Sequence, residues 1–193
     1  MGNLIVTEFV SMDGVMEAPG GEEGYKHTAW TFEFPDEGQY EVKTKETYEA
    51  EVQLLGRVTY EGFAAAWPER EQADDPDLAE FATRFNSMPK YVVSTTLEEA
   101  TWQNTTILRS LNDVAQLKQD VAGDILVAGS NTLVHSMLRE DLVDVLRLMI
   151  FPVILATGKR IFPDDLDEKI VFDLTDHRRY GSIVVHDYTR QGR

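Results

Sequence analysis

Leu54-Leu55-Gly56-Arg57-Val58-Thr59-Tyr60-Glu61-Gly62-Phe63 decides how the rest of the chain is read. An apolar strand end, with Val52, Leu54 and Leu55, breaks at a single glycine, and an arginine and a threonine then open a segment of helical character. Strand, tight turn and helix start together make phosphate-binding geometry. The free N–H groups of a first helical turn and the positive end of its dipole attract an anion, and a glycine lets the ligand come close to the backbone. Arg57 adds a planar, permanently charged fork suited to a pair of phosphate oxygens. Taken alone, the stretch reads more simply as a turn at Gly56 followed by a solvated charge at Arg57. Its neighbours in the sequence change that balance.

The pattern recurs downstream. Asp124-Ile125-Leu126-Val127-Ala128-Gly129-Ser130-Asn131-Thr132-Leu133-Val134 is again an apolar strand, a small-residue turn and a helix, which runs to about Leu138. Two such turns at the carboxyl ends of strands can grip one nucleotide. Lys90-Tyr91-Val92-Val93-Ser94-Thr95-Thr96 is a strand that finishes in hydroxyl residues, and Asn3 to Met12 is a first strand ending in the turn Ser11-Met12-Asp13-Gly14. Helices are predicted over 36–53, 57–67, 75–86 and 112–119, the last with Asn112 at its cap, and a short strand over 105–108. Val15 to Tyr25, rich in glycine and glutamate, is a loop of the kind that forms active-site lids. The aromatic segment Trp30 to Pro35 either lines a pocket or plugs the core. Leu142 to Leu155 reads as one long apolar strand, with Pro152 marking a bend or an edge. Lys169 to Thr175 and Ile183 to Tyr188 alternate as an antiparallel hairpin around Arg178-Arg179-Tyr180-Gly181. Strands alternating with helices through residue 138, then strands alone, give an α/β fold as one domain over 1–193. Its expected form is three layers: a mostly parallel central sheet, helices on both faces, and an antiparallel C-terminal hairpin.

Composition removes whole classes of function. The 193 residues are 42% hydrophobic, enough for a sizeable core, yet no segment approaches the roughly 20 apolar residues of a membrane span. No cysteine is present, so disulfides, thiolate nucleophiles and cysteine-held metals are excluded. His27, His135, His177 and His186 show no metal-ligand spacing, and no metal is expected. A net charge of −16 argues against nucleic acid, whose binding relies on lysine and arginine. No basic region followed by an apolar run reads as an export signal, so a cytoplasmic location is expected.

Ser-Met-Asp-Gly after the first strand, Leu-Leu-Gly-Arg-Val-Thr-Tyr, Lys-Tyr-Val-Val-Ser-Thr-Thr-Leu, Val-Ala-Gly-Ser-Asn-Thr-Leu-Val and Arg-Leu-Met-Ile-Phe-Pro-Val-Ile-Leu-Ala-Thr-Gly-Lys-Arg-Ile-Phe resemble, in that order, the dihydrofolate reductase-like superfamily. The branch they are most similar to is the C-terminal reductase domain of the bifunctional riboflavin biosynthesis protein. The resemblance implies NADPH as hydride donor. By it, Gly56, Arg57 and Thr59 match the turn that holds phosphate, with the arginine facing the adenosine 2′-phosphate. Ser94, Thr95 and Thr96 match the loop beside that adenosine. Gly129, Ser130, Asn131 and Thr132 match the pyrophosphate turn, and Ser11, Met12, Asp13 and Gly14 the loop near the nicotinamide. Dihydrofolate reductases usually carry Gly-Gly where this chain has Gly129-Ser130, and no acid here aligns with the one that orients folate.

The expected activity is therefore hydride transfer from NADPH to a C=N or C=O bond of a small, heterocyclic or carbonyl substrate. The nearest named activity is 5-amino-6-(5-phosphoribosylamino)uracil reductase. Asp13 and Glu33 are the candidate polar or catalytic groups, Trp30, Phe32 and Phe34 the candidate substrate wall, and Lys159, Arg160 and Arg178 the candidate contacts for a substrate phosphate. The competing reading is a non-catalytic NADPH-binding or regulatory protein. Pairing of the 142–155 strand or the hairpin across a two-fold axis would make a homodimer.

Overall fold

The computed structural model describes residues 2–192. Strands and helices alternate as β1 (Leu4–Ser11), α1 (Glu37–Glu49), β2 (Val52–Gly56), α2 (Arg57–Ala66), α3 (Pro76–Ser87), β3 (Lys90–Val93), β4 (Thr105–Leu108), α4 (Leu111–Asp120), β5 (Ile125–Val127) and α5 (Asn131–Arg139). Then come strands alone, β6 (Val145–Phe151), β7 (Phe172–Tyr180) and β8 (Ile183–Arg190). All belong to one sheet in the order β4-β3-β2-β5-β1-β6-β8-β7. It is parallel from β4 to β6, and β8 and β7 run antiparallel at one end.

Side-chain alternation builds the layers. β2 and β5 are buried at every position, as strands covered on both faces must be. Leu4, Val6 and Leu54 pack with Val114 and Leu117 of α4 and with Leu133 and Met137 of α5. Their neighbours Ile5, Leu55 and Leu126 point to the other face and pack with Tyr60 of α2 and Phe85 of α3. Under the antiparallel end, a third cluster joins Val42 of α1 to Trp30, Phe151, Ile183 and Val185. The result is the three-layer α/β architecture.

α1 reaches the sheet mainly through polar groups. Besides Val42 it buries Gln39, Glu46 and Thr47. Glu46 receives the Thr7 hydroxyl at 2.9 Å, Lys43 at 2.9 Å and Arg147 at 3.2 Å. Arg147 also holds Asp187 at 2.9 Å, and Arg178 reaches the same carboxylate at 2.8 Å. Hydrogen-bonded pairing of this kind is what lets buried charges persist.

Several boundaries differ from the sequence expectation, each for a local reason. The helix predicted over 36–53 stops at Glu49, because Ala50 turns extended and the Glu51 N–H joins the Asp124 carbonyl at 3.0 Å. Ser110, not Asn112, caps α4, in a reciprocal capping box with Asp113. The apolar run 142–155 forms strand only over Val145–Phe151. That strand lies between β1 and β8, so it has no free edge to pair across a two-fold axis; the sheet edges are β4 and β7. Arg178, Arg179 and Tyr180 belong to β7 itself, and the hairpin turns at Gly181 and Ser182. No helix among the described residues is long and apolar enough to cross a membrane.

One buried cation ends α3. Lys90, fully buried, donates to the carbonyls of Asn86 at 2.6 Å, Met88 at 2.8 Å and Phe85 at 3.2 Å, with its ammonium 4.4 Å from the centre of the Trp102 ring. It satisfies the acceptors that a helix C-terminus leaves open. Lys90→Met keeps the stem and strips those carbonyls of their donor. We expect a loss of about 3 kcal/mol in urea unfolding; a loss below about 1 kcal/mol would mean that water replaces the ammonium.

Candidate functional site

The chain leaves β1 through α1 and arrives in β2, passing β5, whereas it leaves β5 through α5 and arrives in β6, passing β1. The two crossovers run in opposite directions along the sheet. β5 and β1 are thus where the winding reverses, and the crevice beyond their carboxyl ends is the usual ligand position in open α/β sheets. The hydrogen-bond registers place that crevice. β1 pairs with β5 only over Leu4–Val6 against Ile125–Val127, then continues beside β6 alone to Ser11.

β5 does not leave β2 in the same way. The Gly56 N–H donates to the Gly129 carbonyl at 3.1 Å, so the turns after the two strands stay together. Neither tolerates a side chain. A Cβ on Gly56 would lie 2.3 Å from Ser130 Oγ and 2.9 Å from its backbone nitrogen, and one on Gly129 would lie 2.7 Å from Thr59 Oγ1. Gly129 also has φ +72°, and its peptide to Ser130 is cis. α2 and α5 consequently start side by side at the crevice. Their cap residues, Gly56 and Ser130, make no side-chain cap bond, and neither first turn holds an acid. α1, α3 and α4 are capped by Asp36, Asp75 and Ser110.

The other expected site residues fall along the same edge. β3 neighbours β2, which places Ser94, Thr95 and Thr96 next to Gly56 and Arg57. Ser94 Oγ accepts from the amides of Thr96 at 3.2 Å and Leu97 at 2.9 Å and so turns the chain, while Thr95 and Thr96 are exposed. Arg57 is exposed and holds Glu61, one helical turn on, at 2.9 Å. In α5, Asn131 is half-buried and Thr132 exposed. On the far side of the crevice comes the turn after β1. There Ser11 Oγ donates to Asp13 at 2.7 Å and accepts the Val15 amide, Gly14 takes φ +79°, and Met12 is exposed.

The two candidate acids and the aromatic wall are placed differently from expectation. Asp13 accepts from the amides of Leu155 at 3.1 Å and Ala156 at 2.9 Å, and Arg160 donates to its carbonyl. Burial works against the carboxylate, but the bonds from Ser11, Leu155 and Ala156 prevail and hold it below the usual carboxylate range. It is a clamp between two loops and stays ionised, with no proton to give. Glu33 is exposed on the short 3-10 turn Trp30–Glu33. Trp30 is 2% exposed, edge-on to Phe151 and bonded to the Glu17 carbonyl, and Phe34 also packs on Phe151. Phe32 is 63% exposed. The three rings therefore do not form one wall: Trp30 is core. Lys159 pairs with Glu17 at 3.2 Å and Arg178 with Asp176 at 3.0 Å and Asp187 at 2.8 Å.

A residue absent from the sequence expectation lies in the crevice itself. Glu8, 8% exposed, comes from the part of β1 that β5 has left, and its Oε1 accepts the Gly129 N–H at 2.5 Å. Burial pushes its carboxyl up to about 8; the Gly129 N–H and the Lys43 ammonium oppose that, and Glu46 adds to it. The signal in the sequence was a Thr-Glu pair in the middle of an otherwise apolar strand, Leu4-Ile5-Val6-Thr7-Glu8-Phe9-Val10. Acids are almost never buried without a reason.

With this geometry in view, the likenesses to known proteins are specific. A family model described as the RibD C-terminal domain matches residues 3–186. The chain is 30% identical over 187 residues to the uncharacterized protein YyaP of Bacillus subtilis (strain 168), covering 94% of this chain and 91% of that one. To YwjB of the same organism, also uncharacterized, it is 30% identical over 76 residues. Its fold is similar to a putative riboflavin biosynthesis protein from Shewanella sp. PV-4, at TM-score 0.71 and 19% identity with both chains fully covered. It is similar to Acinetobacter baumannii RibD at TM-score 0.66 and 14% identity, spanning 59% of that longer chain. Dihydrofolate reductase from Enterococcus faecalis complexed with NADP(H) matches at TM-score 0.59 and 15% identity over 98% of its length. The chain belongs to the RibD C-terminal domain family and has the dihydrofolate reductase-like fold.

Proposed function

We propose that this protein is an NADPH-dependent reductase that reduces a C=N or C=O bond of a small heterocyclic or carbonyl substrate. The observation that carries the reading is the pair of uncapped helix starts, α2 and α5, held together at the switch point by turns with no room for a Cβ. Exposed N–H groups, positive helix ends and a close backbone approach are the chemistry a pyrophosphate needs. Turns after four neighbouring strands, β3, β2, β5 and β1, supply the remaining contacts. At about 4.8 Å per strand they span roughly 14 Å, a length that suits an extended dinucleotide.

In this arrangement Thr95, Thr96 and Arg57 take the adenosine end. Gly129, Ser130, Asn131 and Thr132, with Gly56 and Thr59, hold the pyrophosphate, and Met12 to Gly14 border the nicotinamide. The bound cofactor supplies hydride, and the protein orients it and limits water. Both the RibD-like and the dihydrofolate reductase-like neighbours support a nicotinamide cofactor. The substrate side is less like a phosphate site. Lys159, Arg160 and Arg178 already face carboxylates, so a phosphorylated substrate would have to break such a pair. That favours an uncharged heterocycle or carbonyl compound over the ribosylaminopyrimidine phosphate.

The first experiment is NADPH binding followed by energy transfer from tryptophan, then NADPH consumption with panels of pterins, pyrimidines and quinones. No signal at millimolar cofactor would remove the nucleotide reading entirely. Binding without consumption would leave the non-catalytic reading in its place.

Arg57 gives a sharper measurement. Arg57→Ala is expected to weaken NADPH binding by about 1 to 3 kcal/mol, the scale of a hydrogen bond to a charged group, and to leave NADH nearly unchanged. Equal losses for both would show that Arg57 does not read the 2′-phosphate. Glu61→Gln is expected to strengthen NADPH binding about twofold, because an exposed i, i+4 ion pair is worth only about 0.4 kcal/mol; a weaker NADPH complex would mean that Glu61 orients the arginine.

A further inference from the structure

A reduction that puts hydride on carbon must also put a proton on the heteroatom, and neither sequence-predicted acid is placed to give one. The carboxyl of Asp13 is taken by three donors, and Glu33 is exposed on a surface turn. The crevice holds a different acid. Glu8 bridges the gap that opens between β1 and β5, fastened by one bond from the Gly129 N–H to Oε1. No hydrogen bond joins Oε2 to a described residue, and it is not among the fully buried unpartnered atoms, so this oxygen is the open side of the carboxyl. One half of the carboxyl is thus fixed by the Gly129 amide, and the other half is left for a group that enters the crevice. A merely structural link to the Gly129 amide needs only a neutral acceptor such as glutamine. The charged groups that face Glu8 are Lys43 and Glu46, both on α1, with Arg147 of β6 and Asp187 of β8 behind Glu46.

We propose that Glu8 is the acid of this site and touches the reacting atoms from the floor of the crevice. The inference rests on the reductase reading and goes further than it. As the carbon of a C=N or C=O bond takes up hydride, its π pair moves to the nitrogen or oxygen, which takes the proton from Glu8 Oε2. The carboxylate that remains regains its proton from solvent. A carboxyl held up to about 8 is protonated at neutral pH and near the optimum for a general acid. On this proposal the nicotinamide enters the gap between β1 and β5, with Glu8 below it and the Met12 to Gly14 turn at its border, and Glu8 is then sensitive to the cofactor's charge. An oxidised, cationic ring favours the carboxylate, and a reduced, neutral ring does not.

The test is the ratio of NADP+ to NADPH affinity, measured by tryptophan fluorescence from pH 6 to pH 9.5. Phosphate and surface titrations act on both cofactors alike and cancel in the ratio. In the wild type we expect the ratio to shift towards NADP+ as pH rises, by up to about tenfold per pH unit, and to level off above about 8. In Glu8→Gln it should stay flat. If Glu8→Gln fails to fold, Lys43→Met serves instead: removal of the cation that favours the carboxylate should move the levelling point to higher pH. A flat ratio in the wild type, or the same slope in Glu8→Gln, overturns the assignment of Glu8 and leaves the reductase reading standing. Failure of both cofactors to bind overturns both.

Two further readouts follow. Because the folded carboxyl is raised above its unfolded value of 4.5, the native state binds the extra proton between the two values. Glu8 therefore lowers stability as pH rises from about 4.5 to 8. Glu8→Gln should gain stability relative to wild type over that window, and an unchanged difference would show an ordinary exposed carboxylate. With a substrate found in the panel, Glu8→Gln should lower kcat at least about 100-fold, with NADPH affinity nearly unchanged. The fall of kcat above about pH 8 should disappear in that variant. An undiminished kcat overturns the proposal.

Discussion

The hydrogen bond from the Gly56 amide to the Gly129 carbonyl, in a contact too close for any Cβ, keeps the turn after β5 with β2 instead of with β1. Much of the site follows from that choice of neighbour. β5 pairs over three residues with β2 on one side and β1 on the other, and beyond them it stays with only one of the two. The strand it leaves, β1, continues alongside β6, so a gap opens at the place where the direction of winding reverses. Two helix starts come to lie on one side of this gap and the Ser11 to Gly14 turn on the other. A larger residue at Gly56 meets the Ser130 backbone as well as its side chain, so relief requires moving α5 and not just rotating a hydroxyl. The shape of the crevice is tied in this way to packing between two glycine turns.

Much of this was legible because it rests on local rules. Leu54-Leu55-Gly56-Arg57 and Val127-Ala128-Gly129-Ser130 announced strand, turn and helix by composition alone, and α2, α3, β4 and α5 lie within a residue or two of expectation. What failed did so where a residue's role depends on a distant partner. Glu51-Val52-Gln53 continues the charged pattern of α1, and only bonds to distant segments, to Asp124 from Glu51 and Val52 and to Pro89 from Gln53, end the helix and start β2 at Val52. Trp30 reads as a pocket aromatic until Phe151, far along the chain, is seen to cover it. Asp13 reads as a candidate polar or catalytic group until the amides of Leu155 and Ala156 close on it. Glu8 went unread for the opposite reason. Apart from Thr7 its neighbours along the strand are apolar, and nothing in them shows that β5 departs at that point and leaves the side chain a gap to enter.

The charge of the chain is informative in its distribution more than in its sum. A net charge of −16 opposes any polyanion at long range, yet ions screen that field within about 8 Å at physiological salt. At short range the sign reverses. The first turns of α2 and α5 carry no acid, whereas α3 and α4 carry Asp77 and Asp113 in theirs. Glu61, the carboxylate paired with Arg57, sits a full turn further along α2. The remaining carboxyl of the crevice, Glu8, is driven by burial towards its neutral form. An ionised Glu8 would place a negative charge against the Gly129 turn, beside the starts of α2 and α5, and would oppose an anion there. On the proposed reductase reading, a retained proton serves both ends of the site: it spares the positive helix starts a neighbouring negative charge, and it is the proton that hydride transfer must be matched with.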